Sequence, residues 1–172
     1  MRLTCLAGML ALLPAWAAAE VKSATPESFQ IEHRFTISAP AAAVWEMLLH
    51  PERWWPADHT WSGKRENLGL EAAVGGCFCE RWDGNAVEHG RVVMLMPGKV
   101  LRLDAALGPL QELGISGVIN VALEEKDGVT TMVVTHRVSG DATHKLDAFA
   151  PVVDRVNALQ FGNLARAAGG TP

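Results

Sequence analysis

The stretch ISGVINVALEEKDGVTTMVVTHRV, residues 115–138, decides the fold. Apolar and polar residues alternate on both sides of Lys126-Asp127-Gly128, a tight-turn signal, so the stretch reads as an antiparallel hairpin. Thr131, Thr135 and Arg137 mark one face, so Met132, Val134, His136 and Val138 point the other way, into the protein. Asn120 and Glu124 likewise turn Ile119, Val121 and Leu123 inward.

Working upstream, Val100–Leu107 is a strand with Leu101, Leu103, Ala105 and Leu107 inward. Gly90–Met96 precedes it, and Cys77–Trp82 precedes that, across the turn Asp83-Gly84-Asn85. Phe29–Ile37 alternates as a half-buried strand. His33 falls on its apolar face and reads as a core histidine. Pro40 opens a short helix carrying Val44, Trp45, Leu48 and Leu49, and His50-Pro51 ends it. Two short helices are expected after this first strand. Downstream, a helix runs from Lys145 or Ala148 to Ala167, with Phe149, Val152, Val153, Val156 and Leu159 as its apolar stripe. An antiparallel sheet has one apolar face to cover. Only the C-terminal helix is large enough to cover it. The expected class is α+β: a curved antiparallel sheet wrapped around a long C-terminal helix.

Composition narrows the function classes. The 172 residues are 49% hydrophobic and 20% charged, which excludes a disordered chain. The net charge of −4 leaves no basic stripe, so no nucleic-acid partner is expected. Residues 1–19 read as a secretory signal peptide: Arg2, an apolar Leu3–Leu13, then Ala17-Ala18-Ala19 before a cleavage point at Glu20. Residues 20–28 form a polar lead-in and 29–168 the domain. No membrane span is expected in the mature chain, which is expected to be soluble and periplasmic. Cys77 and Cys79 lie two apart on one strand, where the 6.6–6.8 Å spacing is at the far edge of disulfide geometry. Two thiols on one strand face are expected rather than a bridge.

Several segments resemble a known family. They are Ile37-Ser38-Ala39-Pro40 with Val44-Trp45, Pro51-Glu52-Arg53-Trp54-Trp55, and Gly75-Gly76-Cys77-Phe78-Cys79-Glu80-Arg81-Trp82. Gly90-Arg91-Val92, Pro97-Gly98-Lys99-Val100-Leu101 and Thr135-His136-Arg137 complete the set. Across residues 29–167 the chain resembles the START-like (SRPBCC) superfamily with its helix-grip fold. The local motifs look like the polyketide cyclase/dehydrase and heat-shock-ATPase-activator-homologue branches. The resemblance implies an internal cavity between sheet and helix for a hydrophobic small molecule.

Glu80 is the sharpest chemical signal. If Phe78 faces inward, Glu80 and Trp82 do too. A hairpin centred near Ala86 would set Phe78 opposite Met94 and Glu80 opposite Val92, with both cysteines on the outer face. A carboxylate in an apolar cavity must be paired, protonated or facing ligand. His136 is the expected partner, the two serving as acid and base or holding a ligand's polar end. The alternatives are a purely structural pair or a surface Glu beside Arg81. Gln160 and Asn163 interrupt the helix stripe near Val156 and require partners. Trp54, Trp55, His59 and Trp61 form a candidate lid. With Phe78, Glu80, Trp82, Met94, Leu103, Val121, Met132, Val134, His136, Val156 and Gln160, these make the candidate ligand-binding set. Cys77, Cys79, Met94, Met96 and His89 suit a soft metal, but the expected register puts thiols and thioethers on opposite faces. No metal or cofactor is expected.

Three function classes follow. The first is an exported binding protein for a hydrophobic small molecule. The second is a cofactor-independent cyclase or lyase using Glu80 and His136. The third is a protein-interaction module of the co-chaperone kind.

Overall fold

The computed structural model describes residues 20–169. The expected leader, residues 1–19, lies outside the described residues. The deciding hairpin forms from β7 (Ser116–Lys126) and β8 (Val129–Ser139), in the register Leu123↔Met132, Val121↔Val134 and Ile119↔His136. Asp127 and Gly128 take φ of 54° and 77°, the positive pair that a type I′ turn requires. Around it lie β1 (Glu20–Thr25), β2 (Ser28–Ile37), β3 (Leu68–Leu70), β4 (Cys77–Trp82), β5 (Asn85–Met96) and β6 (Val100–Asp104). They form one sheet in the order β1-β2-β8-β7-β6-β5-β4-β3, every pair antiparallel. Helix α1 (Ala41–Leu48) follows β2, a single turn α2 (Pro109–Glu112) follows β6, and α3 (Leu146–Ala167) closes the fold. This is a helix-grip architecture.

Four local expectations change. The polar lead-in is an edge strand: β1 pairs with β2, Val21 facing Ile31. Edge strands are commonly short and polar, which is why the segment reads as a linker. The β4–β5 hairpin is centred on Asp83-Gly84, φ 44° and 81°, not near Ala86. Glu80 therefore pairs with Val87 and Phe78 with Gly90. Cys77 and Cys79 form a disulfide, with Cα atoms 5.4 Å apart. The register shifts between Phe78 and Cys79; the irregular strand brings the pair well inside the span a bridge needs. A second shift between Val92 and Met94 reverses parity in β5. Val92 stays buried beside Leu103, while Met94 pairs with Arg102, whose Nε donates to Asn120 on the outer face.

Helix α3 turns a different face inward from the expected stripe. Leu146, Ala150, Asn157, Gln160, Phe161, Leu164 and Ala165 are buried, whereas Val152 and Leu159 are 49% and 43% exposed. Two core clusters result. One packs Phe161, Leu164 and Ala165 against Trp54, Trp55, Phe78, Val121, Met132 and Val134. The other packs Leu146 and Ala150 against Phe29, Ile31, Leu110, Ile115 and Val138. Each fully buried Leu or Phe contributes about 1.5–3 kcal/mol. Asn157 and Gln160 sit along the helix between the two.

Candidate functional site

The site begins where the sheet is too crowded for side chains. A Cβ on Gly117 would lie 2.4 Å from the Ala105 carbonyl oxygen, and one on Gly90 2.7 Å from the Ala105 Cβ. Close approach of three backbones requires glycine there. Beyond Ala105 the chain leaves the sheet through Ala106–Gly108 into α2. A cavity of about 420 Å³ opens between this crossing, α3 and the lid segment. Its apolar wall is Trp55, Trp61, Leu107, Leu110, Phe149, Val152, Val153 and Val156. Its polar wall is Asp58, His59, Thr60, His89, His136, Asn157 and Gln160.

The lid is held by Glu80. One carboxylate oxygen accepts the Ser62 backbone N–H at 2.6 Å, and the other accepts the Trp61 N–H at 3.0 Å. His89 Nε2 lies 3.1 Å from the second oxygen. Glu80 is fully buried. Burial alone would raise its pKa, but the contacts from Ser62, Trp61 and His89 outweigh it and hold the carboxyl below its ordinary value. Glu80 is thus an ionised anchor spent on the lid backbone, and it does not line the cavity. Trp55 Nε1 donates to the His59 carbonyl at 3.1 Å and fixes the other end of the same segment. Trp61 stays 58% exposed at the mouth.

His89 is the residue that sequence reasoning undervalued. Phe78 pairs with Gly90 and Cys79 with Glu88, so His89 is the extra residue of a bulge in β5. Bulges re-aim side chains and are over-represented beside functional sites. The ring packs 5.2 Å from that of Phe78 and lines the cavity. Burial lowers its pKa, only partly offset by Glu80. The one sequence signal was Gly90, an isolated strand glycine of the kind that marks bulges.

The structure pairs His136 with Asn157, not with Glu80. Asn157 Nδ2 lies 3.0 Å from His136 Nδ1. Burial pushes the imidazole down to about 4, against the opposing pull of the Ala105 backbone and the Asn157 amide. The Ala105 contact falls short of hydrogen-bond geometry, so His136 Nε2 has no partner. Seven buried side-chain atoms among the described residues share that condition. Four belong to residues that line the cavity: His59 Nδ1, His136 Nε2, Asn157 Oδ1 and Gln160 Oε1. The other three belong to His33 and Asp154, which approach to 3.1 Å across β2 and α3 but miss hydrogen-bond geometry.

The expected ligand set divides accordingly. Trp55, His59, Trp61, His136, Val156 and Gln160 line the large cavity. Trp54, Phe78, Leu103 and Val121 line a gap of about 30 Å³ in the first core cluster, at whose border Trp55 also lies. Met132 and Val134 are packed core. Trp82 is half-buried beside the hairpin turn, and Met94 is on the outer face. Asn163 bonds to Arg166 at the surface.

This arrangement, an antiparallel sheet gripping α3, matches known proteins. Residues 38–158 match the family model described as Activator of Hsp90 ATPase homolog 1-like protein. The chain belongs to this family. No curated protein matches it. Among solved structures it is similar to protein MLL2253 from Mesorhizobium loti, with TM-score 0.56 and 19% identity over 80% of this chain and 95% of that one. A putative uncharacterized protein from Rhizobium leguminosarum gives TM-score 0.59 and 20% identity, covering 83% and 95%. The di-domain ARO/CYC StfQ from the steffimycin biosynthetic pathway gives 0.55 and 16%, covering 83% of this chain and 50% of that one. At these identities the likeness is one of fold. The family is one of the START-like (SRPBCC) superfamily that the sequence motifs resemble.

Proposed function

We propose that this family member is an exported, periplasmic protein that binds a hydrophobic small molecule in the cavity between sheet and α3. One observation carries the reading: four of the seven partnerless buried polar atoms belong to residues that line one cavity. Native proteins satisfy nearly all such atoms, and a pocket of apolar walls with a few polar groups is what small ligands occupy. The volume of about 420 Å³ is within the range of such sites. Export is supported by the composition of residues 1–19 and by the Cys77–Cys79 bridge, which suits an oxidising compartment.

Native mass spectrometry of the protein taken from its own periplasm, followed by organic extraction, tests both parts. A mature mass beginning at Glu20 and a co-purifying apolar molecule are expected. A retained leader would refute export, and protein that is empty and takes up no apolar dye would refute the binding site. His89 favours a second reading, a cofactor-independent acid–base enzyme. Its Nε2 faces a buried ionised carboxylate, the arrangement that orients a catalytic imidazole. In that reading His89, not Glu80 or His136, touches substrate. Turnover lost in His89→Ala with ligand affinity retained would establish it.

A further inference from the structure

We propose that the cavity selects an uncharged apolar molecule bearing a hydroxyl group, and that the hydroxyl is held by His136, Asn157 and Gln160. The inference deepens the binding function above and rests on it.

The three residues form one cluster. Asn157 and Gln160 stand three apart on α3 and so share a face, and Asn157 reaches His136 across to β8 at 3.0 Å. The Asn157 amide donates to His136 Nδ1, which puts the imidazole proton on Nε2. What remains is one N–H donor, His136 Nε2, faced in the protein only by the Ala105 backbone short of hydrogen-bond geometry, and two carbonyl acceptors without partners, Asn157 Oδ1 and Gln160 Oε1. A hydroxyl is a small group that both donates and accepts. It takes the N–H from His136 and gives its proton to an amide oxygen. Turning the Asn157 amide over exchanges donor for acceptor at His136, and the hydroxyl fits that set as well.

Charged head groups fit worse. A carboxylate has no proton for the two amide oxygens, and among the described residues no lysine or arginine lines the cavity. His136 supplies no cation either, because burial keeps it neutral down to about 4. Asp58, at the lid, adds a negative charge that repels an anion. An ammonium has no acceptor for the His136 N–H. A methyl group leaves all three protein atoms orphaned, each at a cost.

A matched series tests this: 2-naphthol, 2-methylnaphthalene and 2-naphthoate, titrated calorimetrically into the exported protein at pH 7. We expect 2-naphthol to bind at least about ten-fold more tightly than either relative. Gln160→Leu and Asn157→Leu should shrink that advantage to less than about three-fold while 2-methylnaphthalene still binds, which also reports an intact fold. Gln160 makes no side-chain bond through Oε1 within the protein, so its variant serves even if Asn157→Leu fails to fold. Equal binding of the methyl analogue, equal or tighter binding of the acid, or an advantage that survives both substitutions would overturn the proposal. If none of the three probes binds, the cavity reading fails and the proposal falls with it.

Discussion

The two ends of the space between sheet and α3 are built on opposite rules. At one end Phe161 packs against Trp54 at 5.9 Å, Trp54 against Trp55 at 5.3 Å, and Trp55 against Phe78 at 5.2 Å, leaving about 30 Å³. At the other, the same helix and sheet enclose about 420 Å³ and leave four polar atoms without partners. Close packing is the default of protein interiors. An end that departs from it, with polar atoms exposed to nothing, gives up stability, and sites commonly do so. The filled end holds the grip, and the open end is free to hold something else.

The largest effect should come from breaking the filled end. Phe161→Ala is expected to cost about 3–5 kcal/mol through lost burial and an unfilled cavity, read as a shift in urea midpoint at unchanged slope. The open end should then show itself by pH. The folded His136 pKa, about 4, is below the ordinary imidazole value of 6.5. Between these values the unfolded chain binds the extra proton, so stability rises with pH. It is fully present above about 6.5 and falls by about 3 kcal/mol as pH drops to 4. The depressed pKa of Glu80 also removes stability at acid pH, below its ordinary range. His136→Gln keeps an acceptor for Asn157 and does not titrate, so denaturation followed across pH should show a shallower decline.

Next comes the lid. Glu80→Gln keeps an acceptor for only one of the two lid amides and loses the charge facing His89. A loss of about 2 kcal/mol is expected, with faster hydrogen exchange at Trp61 and Ser62. Unchanged exchange there would show that the lid is held by Trp55 alone. The smallest effect should be a gain. Gln160→Leu removes an orphaned oxygen from the open end and should stabilise the protein by up to about 1 kcal/mol, measured by thermal unfolding without ligand. A clear destabilisation would mean that Gln160 has a structural partner after all, and the contrast between the two ends would weaken.

The paired carboxylate was half legible. Glu80 stands in an apolar alternation, Phe78-Cys79-Glu80, and a buried acid there had to find a partner. The partner was missed because it depends on where the hairpin turns and on a bulge, and both escape a period-two pattern. A single inserted residue in β5 sets His89 beside Glu80, and another sends Met94 outward. The helix misled for a related reason. Phe149, Val152, Val153 and Val156 are apolar and line the cavity; only Phe149 and Val153 of the four also pack against a core cluster. Apolar periodicity marks a face that avoids water, and a cavity wall and a packed core look alike by that measure.

Local chemistry determined the architecture. Alternation in 115–138, the Asp-Gly turns and one long helix with an apolar face leave few ways to bury the sheet, because alternation, turn chemistry and helix amphipathicity are each set by near neighbours in sequence. The site was decided by tertiary structure. Which carboxylate meets which imidazole, whether Cys77 reaches Cys79, and which polar atoms are left without partners all depend on register shifts of one residue and on the rotation of α3 over the sheet. Those shifts are worth little locally, and only the packing of the whole domain selects among them.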